Sequence, residues 1–408
     1  MNKIKLLCST LTVISFFFSC NSNLEEFGIE KELLNYNESE RIVLNMLYNF
    51  SNEGTISTKS ATYSDLIITD IDSQKYKFNF NPIEIQTRSS EDETEVTLYT
   101  INFKKGNKNG FSIISSDERC QYVYAYTENG CIDDTSKIKP LKKVINDIPK
   151  ILEKDLYKFY TNQTTNLVTK ADQILYLNVP NIMKSAWSQD IPYNNNFPTM
   201  NDGCKAYAGC VTIACAQVLA MLNPSALSSF NLSELANIEG SISIYDYWAN
   251  TTADFVYYLA NNCLNSSYGC DHTGGTGSNI QDICGELGNW GITYYYREAD
   301  LDMNKLASSL SIGWPVIASG VQEEGNKSGH AWVYSGIRAD VTGSRGDYTV
   351  SAFFSIYCNW GYGSIGDGWY RLYEQYPTET YPYSGDNAHI YFHLHTPNPN
   401  FDGGYAYL

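Results

Sequence analysis

The chain has 408 residues, enough for two or three ordinary domains, and its 43% hydrophobic and 14% aromatic content argues against global disorder. A formal charge of −17 repels phosphate backbones and argues against nucleic acid as a partner.

Met1 to Lys5 is basic, Leu6 to Phe18 is mostly apolar, and Ser19-Cys20 follows, the make-up of a secretory signal. The apolar run is too short to span a bilayer. Phe17-Phe18-Ser19-Cys20 resembles the bacterial lipoprotein box, in which Cys20 is acylated and becomes the new N-terminus; a plain signal peptide cut nearby is the alternative. Of the 11 cysteines, Cys8 leaves with the signal and Cys20 would carry lipid. The odd remainder points to a free reactive thiol or an intermolecular bridge. Cys120 with Cys131 is the preferred disulfide, because the run 122–126 and the turn 128–130 between them would bring the two together. No CxxC pair occurs, so neither a zinc ribbon nor a thioredoxin-like motif is indicated.

After a polar tether, residues 38–50 read as a helix. The pattern from 61 to about 133 is β-like: Val96 to Phe103 alternates with period two, 104–110 is a turn, and Phe111 to Ser115 is a second strand. Leu141, Val144, Ile145, Ile148, Ile151 and Leu152 have helical spacing, with Pro140 suited to the start and Pro149 expected to kink or split the helix. The polar stretch 161–166 has no core-forming residue, and the main boundary is placed between Thr161 and Asp172. The organisation expected is a signal over 1–20, a tether and first domain over 21–165, and a second domain over 171–408.

In the second domain Val211, Ala214, Cys215, Val218, Leu219 and Leu222 form one helical face, ended by Asn223-Pro224. Cys210 therefore stands at a helix N-terminus, just after Gly209. Unpaired N–H groups and the helix dipole favour an anion there, so a lowered thiol pKa and a nucleophilic role are expected. A buried structural cysteine is the competing reading. His330, between Gly329 and a strand-like run, has room for a substrate backbone beside it; a hydrogen-bonded core histidine is the alternative. His389, His393 and His395 fall on one face of a strand and could be read as metal ligands, although a plain surface face is preferred. An Asn359 side-chain carbonyl could hold the imidazole, with the Trp360 indole shielding that bond. His330 and Asn359 lie 120 and 149 residues after Cys210. This order, with a reach of roughly 130–150 residues, is that of papain-type enzymes.

Together these segments resemble the streptopain family of papain-like cysteine proteases. The resemblance is carried by Trp187-Ser188-Gln189 with Pro192-Tyr193-Asn194, Gly209-Cys210-Val211-Thr212 with Ala216-Gln217, Tyr268-Gly269 and the loop 273–278, Trp314-Pro315-Val316, Gly329-His330-Ala331, and Asn359-Trp360-Gly361 with Asp367-Gly368. Gly110 to Arg119 and Tyr124 to Gly130 are similar to the family's propeptide. The resemblance implies an α+β papain-like catalytic domain, a helical part plus an antiparallel sheet, preceded by an α+β propeptide domain that inhibits it. It implies a thiol endopeptidase made as a zymogen, with Cys210 as nucleophile, His330 as base, and Asn359 and Trp360 supporting the ring. The Cys210 N–H would hold the oxyanion, helped by the Gln189 side chain, which could equally be a polar packing residue. Protein or peptide substrates are expected, no cofactor or metal, and a membrane association through lipidated Cys20. Cleavage is expected between 161 and 176, preferably at Lys170-Ala171. The competing reading is a catalytically silent surface lipoprotein that binds peptides or host proteins.

Overall fold

The period-two pattern of the first half folds as four antiparallel strands under one helix. The computed structural model describes residues 36–52, 66–79, 94–162, 173–270, 273–298, 301–321, 329–344, 347–372 and 385–392. Strand β1 (Leu66–Phe78) pairs with β2 (Thr94–Lys105), β2 with β3 (Lys108–Ser115), and β3 with β4 (Val123–Thr127). Helix α1 (Glu38–Asn52) starts in a reciprocal cap: Glu40 N–H donates to Asn37 Oδ1 at 2.9 Å, and Asn37 N–H to the Glu40 carboxylate at 2.8 Å. Its apolar face, Val43, Leu44, Leu47 and Tyr48, packs on Ile101, Phe103, Ile114 and Tyr126.

Helix α2 (Lys139–Asn162) runs unbroken through Pro149, against the expected kink or split. Proline removes one backbone bond, whereas Leu141, Val144, Ile148, Ile151, Leu152 and Leu156 bury a stripe on both sides of it. The burial outweighs the lost bond.

The second half contributes β5 (Gln173–Val179), α3 (Cys210–Leu222), α4 (Leu232–Asn237), α5 (Ala249–Asn262), α6 (Ile283–Asn289), β6 (Tyr294–Glu298), α7 (Met303–Ser311), β7 (Val316–Val321), β8 (Gly329–Ser344), β9 (Asp347–Asn359), β10 (Gly368–Arg371) and β11 (Gly385–Phe392). Its strands continue the sheet of the first half: the order is β1-β2-β3-β4-β10-β9-β8-β7-β11-β6, with β5 on β8, and every pairing is antiparallel. The fold is α+β, helices on a large antiparallel sheet. Strand alternation sorts the core. Ala331 and Val333 face the cluster that holds α3 and α5, while Trp332 and Tyr334 face the cluster that holds α2 and α7.

The halves meet at β4 and β10, where Gly368 opposes Thr127 and Trp369 opposes Tyr126. A Cβ on Gly368 would stand 2.3 Å from the Tyr126 carbonyl oxygen, so only glycine lets the strands close at this point. Side chains also cross the junction. Arg371 makes a two-pronged ion pair with Asp155 of α2, Nε to Oδ2 at 2.9 Å and Nη2 to Oδ1 at 2.8 Å, and lies 3.8 Å over the Tyr122 ring. Arg338 of β8 stacks on Phe50 of α1 and on Trp369, 4.3 Å from each ring centre.

Candidate active site

Gly209 adopts φ of 88° and caps α3, so Cys210 opens the helix as expected from the sequence. A Cβ on Gly209 would stand 3.0 Å from the Thr276 carbonyl, which shows how tightly Thr276 packs behind the start of α3. Thr276 Oγ1 donates to the Tyr207 carbonyl at 2.6 Å, and a disulfide between Cys204 and Cys270 ties the same two segments. Cys210 is a free thiol.

The preferred Cys120–Cys131 bridge is absent: both are free. Strand β4 lies between them and extends the chain by about 3.3 Å per residue, which holds them apart. Cys120 is buried beside Ser115 Oγ, and Cys131 donates to the Asp134 carboxylate at 3.2 Å.

His330 lies near the start of β8, opposite Gly320 of β7. Because Asn359 pairs with Val333, the chain leaving β9 runs back past Trp332 and Ala331 toward His330. The ring is then covered by Tyr362, stacked at 5.6 Å. Its Nε2 lies 2.9 Å from the Trp360 carbonyl oxygen. A carbonyl only accepts, so Nε2 carries the proton and Nδ1 the lone pair. Burial pushes the imidazole pKa down to about 4, opposed by the Trp360 carbonyl.

The Cys210 thiol meets the backbone N–H groups of Ala331, Val211 and Cys210 itself, which favour its anion, but burial is the larger influence and raises its pKa. The lowering expected from the helix N-terminus is thus overridden by desolvation in this state. Among the described residues no hydrogen bond joins this thiol to His330. The two are instead neighbours through Ala331.

Asn359 is buried next to the site but does not touch His330 through its side chain. Its Oδ1 accepts from Gln217 Nε2 at 3.2 Å and from Gly361 N–H at 3.1 Å, and its Nδ2 donates to the Ser185 carbonyl at 3.1 Å. Gln217 Oε1 also accepts the Trp187 N–H at 2.9 Å. The side chain expected to orient the imidazole therefore ties α3 to the turn after β9, and a backbone carbonyl orients the ring. The Trp360 indole packs between Trp332, at 5.8 Å, and Tyr370, at 5.6 Å, in the cluster behind the histidine. Gln189 lies next to the segment that leads into Cys210: its carbonyl accepts the Ala208 N–H at 2.9 Å. Asp367 Oδ1 accepts the Trp360 N–H at 2.8 Å, so the peptide unit that precedes the ring-holding carbonyl is itself anchored.

His389 is fully buried in β11, stacked with Tyr334 at 6.3 Å, and not on a surface face. His393, His395 and the signal with Cys20 lie outside the described residues.

A cysteine opening a buried helix, set against the strand of an antiparallel sheet that carries the histidine, is the layout of a papain-like fold. The model of the peptidase C10 family, the streptopain family, matches residues 187–370. A solved structure of a prointerpain A fragment from Prevotella intermedia is similar over 78% of this chain and 98% of its own, at 19% identity and a TM-score of 0.49. No curated protein matches the sequence.

Proposed function

We propose that this protein is a cysteine endopeptidase synthesised as an inhibited precursor, in which Cys210 is the nucleophile and His330 the general acid and base. The observation that carries the reading is the placement of the Cys210 thiol at a helix N-terminus, against the N–H of the residue that follows His330. In the reaction Cys210 gives its proton to His330 Nδ1, and the thiolate attacks the peptide carbonyl. The Cys210 N–H and the Gln189 side chain stabilise the oxyanion. The imidazolium protonates the leaving amine, and water hydrolyses the acyl-enzyme. The Trp360 carbonyl keeps the ring in the tautomer that this needs.

The first half acts as the inhibitor. Support comes from its contacts with the turn that carries Tyr362: Thr127 Oγ1 donates to the Asp367 carbonyl at 2.7 Å, and Gly366 N–H donates to the Asn129 carbonyl at 2.7 Å. Here the thiol and the imidazole are both held neutral. Cutting between 161 and 176 would free the turn and let His330 reach Cys210. The basic and apolar start with Cys20 supports export as a lipidated precursor, which such a cut would release from its anchor. Incubating the full chain with a protein substrate tests the reading: hydrolysis abolished by Cys210→Ala and by His330→Ala supports it, and hydrolysis that survives either change refutes it.

A further inference from the structure

The segment from Gly240 to Trp248 is an ordered turn that carries apolar side chains into solvent. Its start is clamped by Ala186 N–H to the Gly240 carbonyl and by Gly240 N–H to the Lys184 carbonyl, both 2.8 Å, and buried Tyr193 donates or accepts at Ser241 and holds the Ile242 N–H at 2.7 Å. Asp246 closes the loop by accepting the Ser243 N–H, and its own N–H donates to the Ser243 carbonyl at 2.9 Å. On this braced turn Ile244, Tyr245 and Tyr247 are 49%, 94% and 86% exposed. A braced backbone presenting two exposed tyrosines, Tyr247 packed edge-on against Trp248, has the composition of a binding surface, where rigid amphipathic rings give contact area at little entropic cost.

Its position says what it would hold. Tyr362 covers His330, and a Cβ on the next residue, Gly363, would lie 3.6 Å from Ser188 and 3.7 Å from Ser241 Oγ. The turn is therefore continuous with the His330 side of the site. In the reaction proposed above, His330 protonates the leaving amine, so the part of the substrate C-terminal to the scissile bond lies on that side. An extended strand advances about 3.3 Å per residue, so a few residues of it reach past Tyr362 toward the turn.

We propose that Ile244, Tyr245 and Tyr247 form a subsite for apolar or aromatic residues a few positions C-terminal to the cleaved bond. This rests on the protease reading. The test compares the enzyme matured from the full chain with its Tyr245→Ser/Tyr247→Ser variant, matured in the same way, on two substrates with the same N-terminal half. One is an internally quenched peptide with aromatic residues at the second to fourth positions after the bond, and the other ends in aminomethylcoumarin at the bond. The variant should cleave the long peptide roughly fivefold to twentyfold less efficiently, through KM, and the coumarin peptide at the wild-type rate. Equal effects on both substrates, or none on either, would overturn the subsite. A wild type inert on both peptides would overturn the protease reading and the subsite with it.

Discussion

His330 Nε2 is held by the carbonyl oxygen of Trp360 at 2.9 Å, while the side chain of the adjacent Asn359 points to Gln217. A backbone carbonyl cannot be removed by a side-chain substitution, so the ring orientation is insulated from mutation at 359. Asn359→Ala should instead leave the Gln217 amide and the Gly361 N–H unpaired, at about 1–3 kcal/mol of stability for a buried polar group. The expected outcome is a lower denaturation midpoint with an unchanged pKa in the pH–rate profile. A shifted profile at unchanged stability would return Asn359 to a ring-orienting role.

Asp367 gives a prediction in pH. Burial pushes its carboxyl pKa up to about 7 from the ordinary 3.8, opposed by the Trp360 N–H. Between these values the folded protein keeps a proton that the unfolded chain has released. Its contribution therefore falls as pH rises from about 4 to about 7, and then levels. His330, pushed down to about 4 from 6.5, works in the opposite sense and loses stability as pH falls through that window. Asp367→Asn keeps an oxygen for the Trp360 N–H and removes only the carboxyl's slope. In denaturant titrations the variant should therefore gain on wild type as pH rises from about 4 to about 7, by on the order of 1.4 kcal/mol for each pH step of one within that window. A difference from wild type that does not change with pH would contradict the assignment.

The Asp155–Arg371 pair should govern maturation. Asp155→Asn removes the charge that compensates a guanidinium buried at the junction, and breaking such pairs costs about 3–5 kcal/mol. The first half should then separate more readily, and the full chain should reach its processed form faster on a gel time course. Processing at the wild-type rate, with the chain still folded, would show that this pair does not hold the first half in place.

Thiol chemistry should report the state of the site. With burial raising the Cys210 pKa, iodoacetamide should label it slowly in the intact precursor at neutral pH and faster as pH rises past the ordinary cysteine range. If the proposed cut uncovers the site, the thiol pKa should fall, the thiolate fraction at neutral pH rising roughly tenfold for a pKa lower by one. Peptide mapping without reduction should find Cys204 joined to Cys270. Equal labelling of precursor and matured chain would remove the inhibited-thiol account.

The parts of this architecture that the sequence disclosed are those with a local signature. Gly209 before an apolar helical stripe marked Cys210, and Gly329 before a strand marked His330. The long link between His330 and Asn359 became the hairpin of β8 and β9, whose pairing brings the end of β9 back past β8. The hidden parts are those without a side-chain signal or with a distant partner. The Trp360 carbonyl is a backbone atom that any residue supplies. Gln217 reads as one more position on a buried helix. Cys204 and Cys270 are separated by 66 residues, and the junction of β4 with β10 joins Thr127 to Gly368 across most of the chain. Desolvation of Cys210 depends on how the whole site is covered, so its raised pKa could not be read from helix position.

The most direct test is self-processing of the full chain from Cys20 onward under reducing conditions, with N-terminal sequencing of the product and a Cys210→Ala control. The account predicts a new N-terminus between Thr161 and Tyr176, hydrolytic activity that appears with it, and an uncut, inactive Cys210→Ala chain. Peptide hydrolysis by a chain that keeps the first half covalently joined, or by the Cys210→Ala chain, would contradict it.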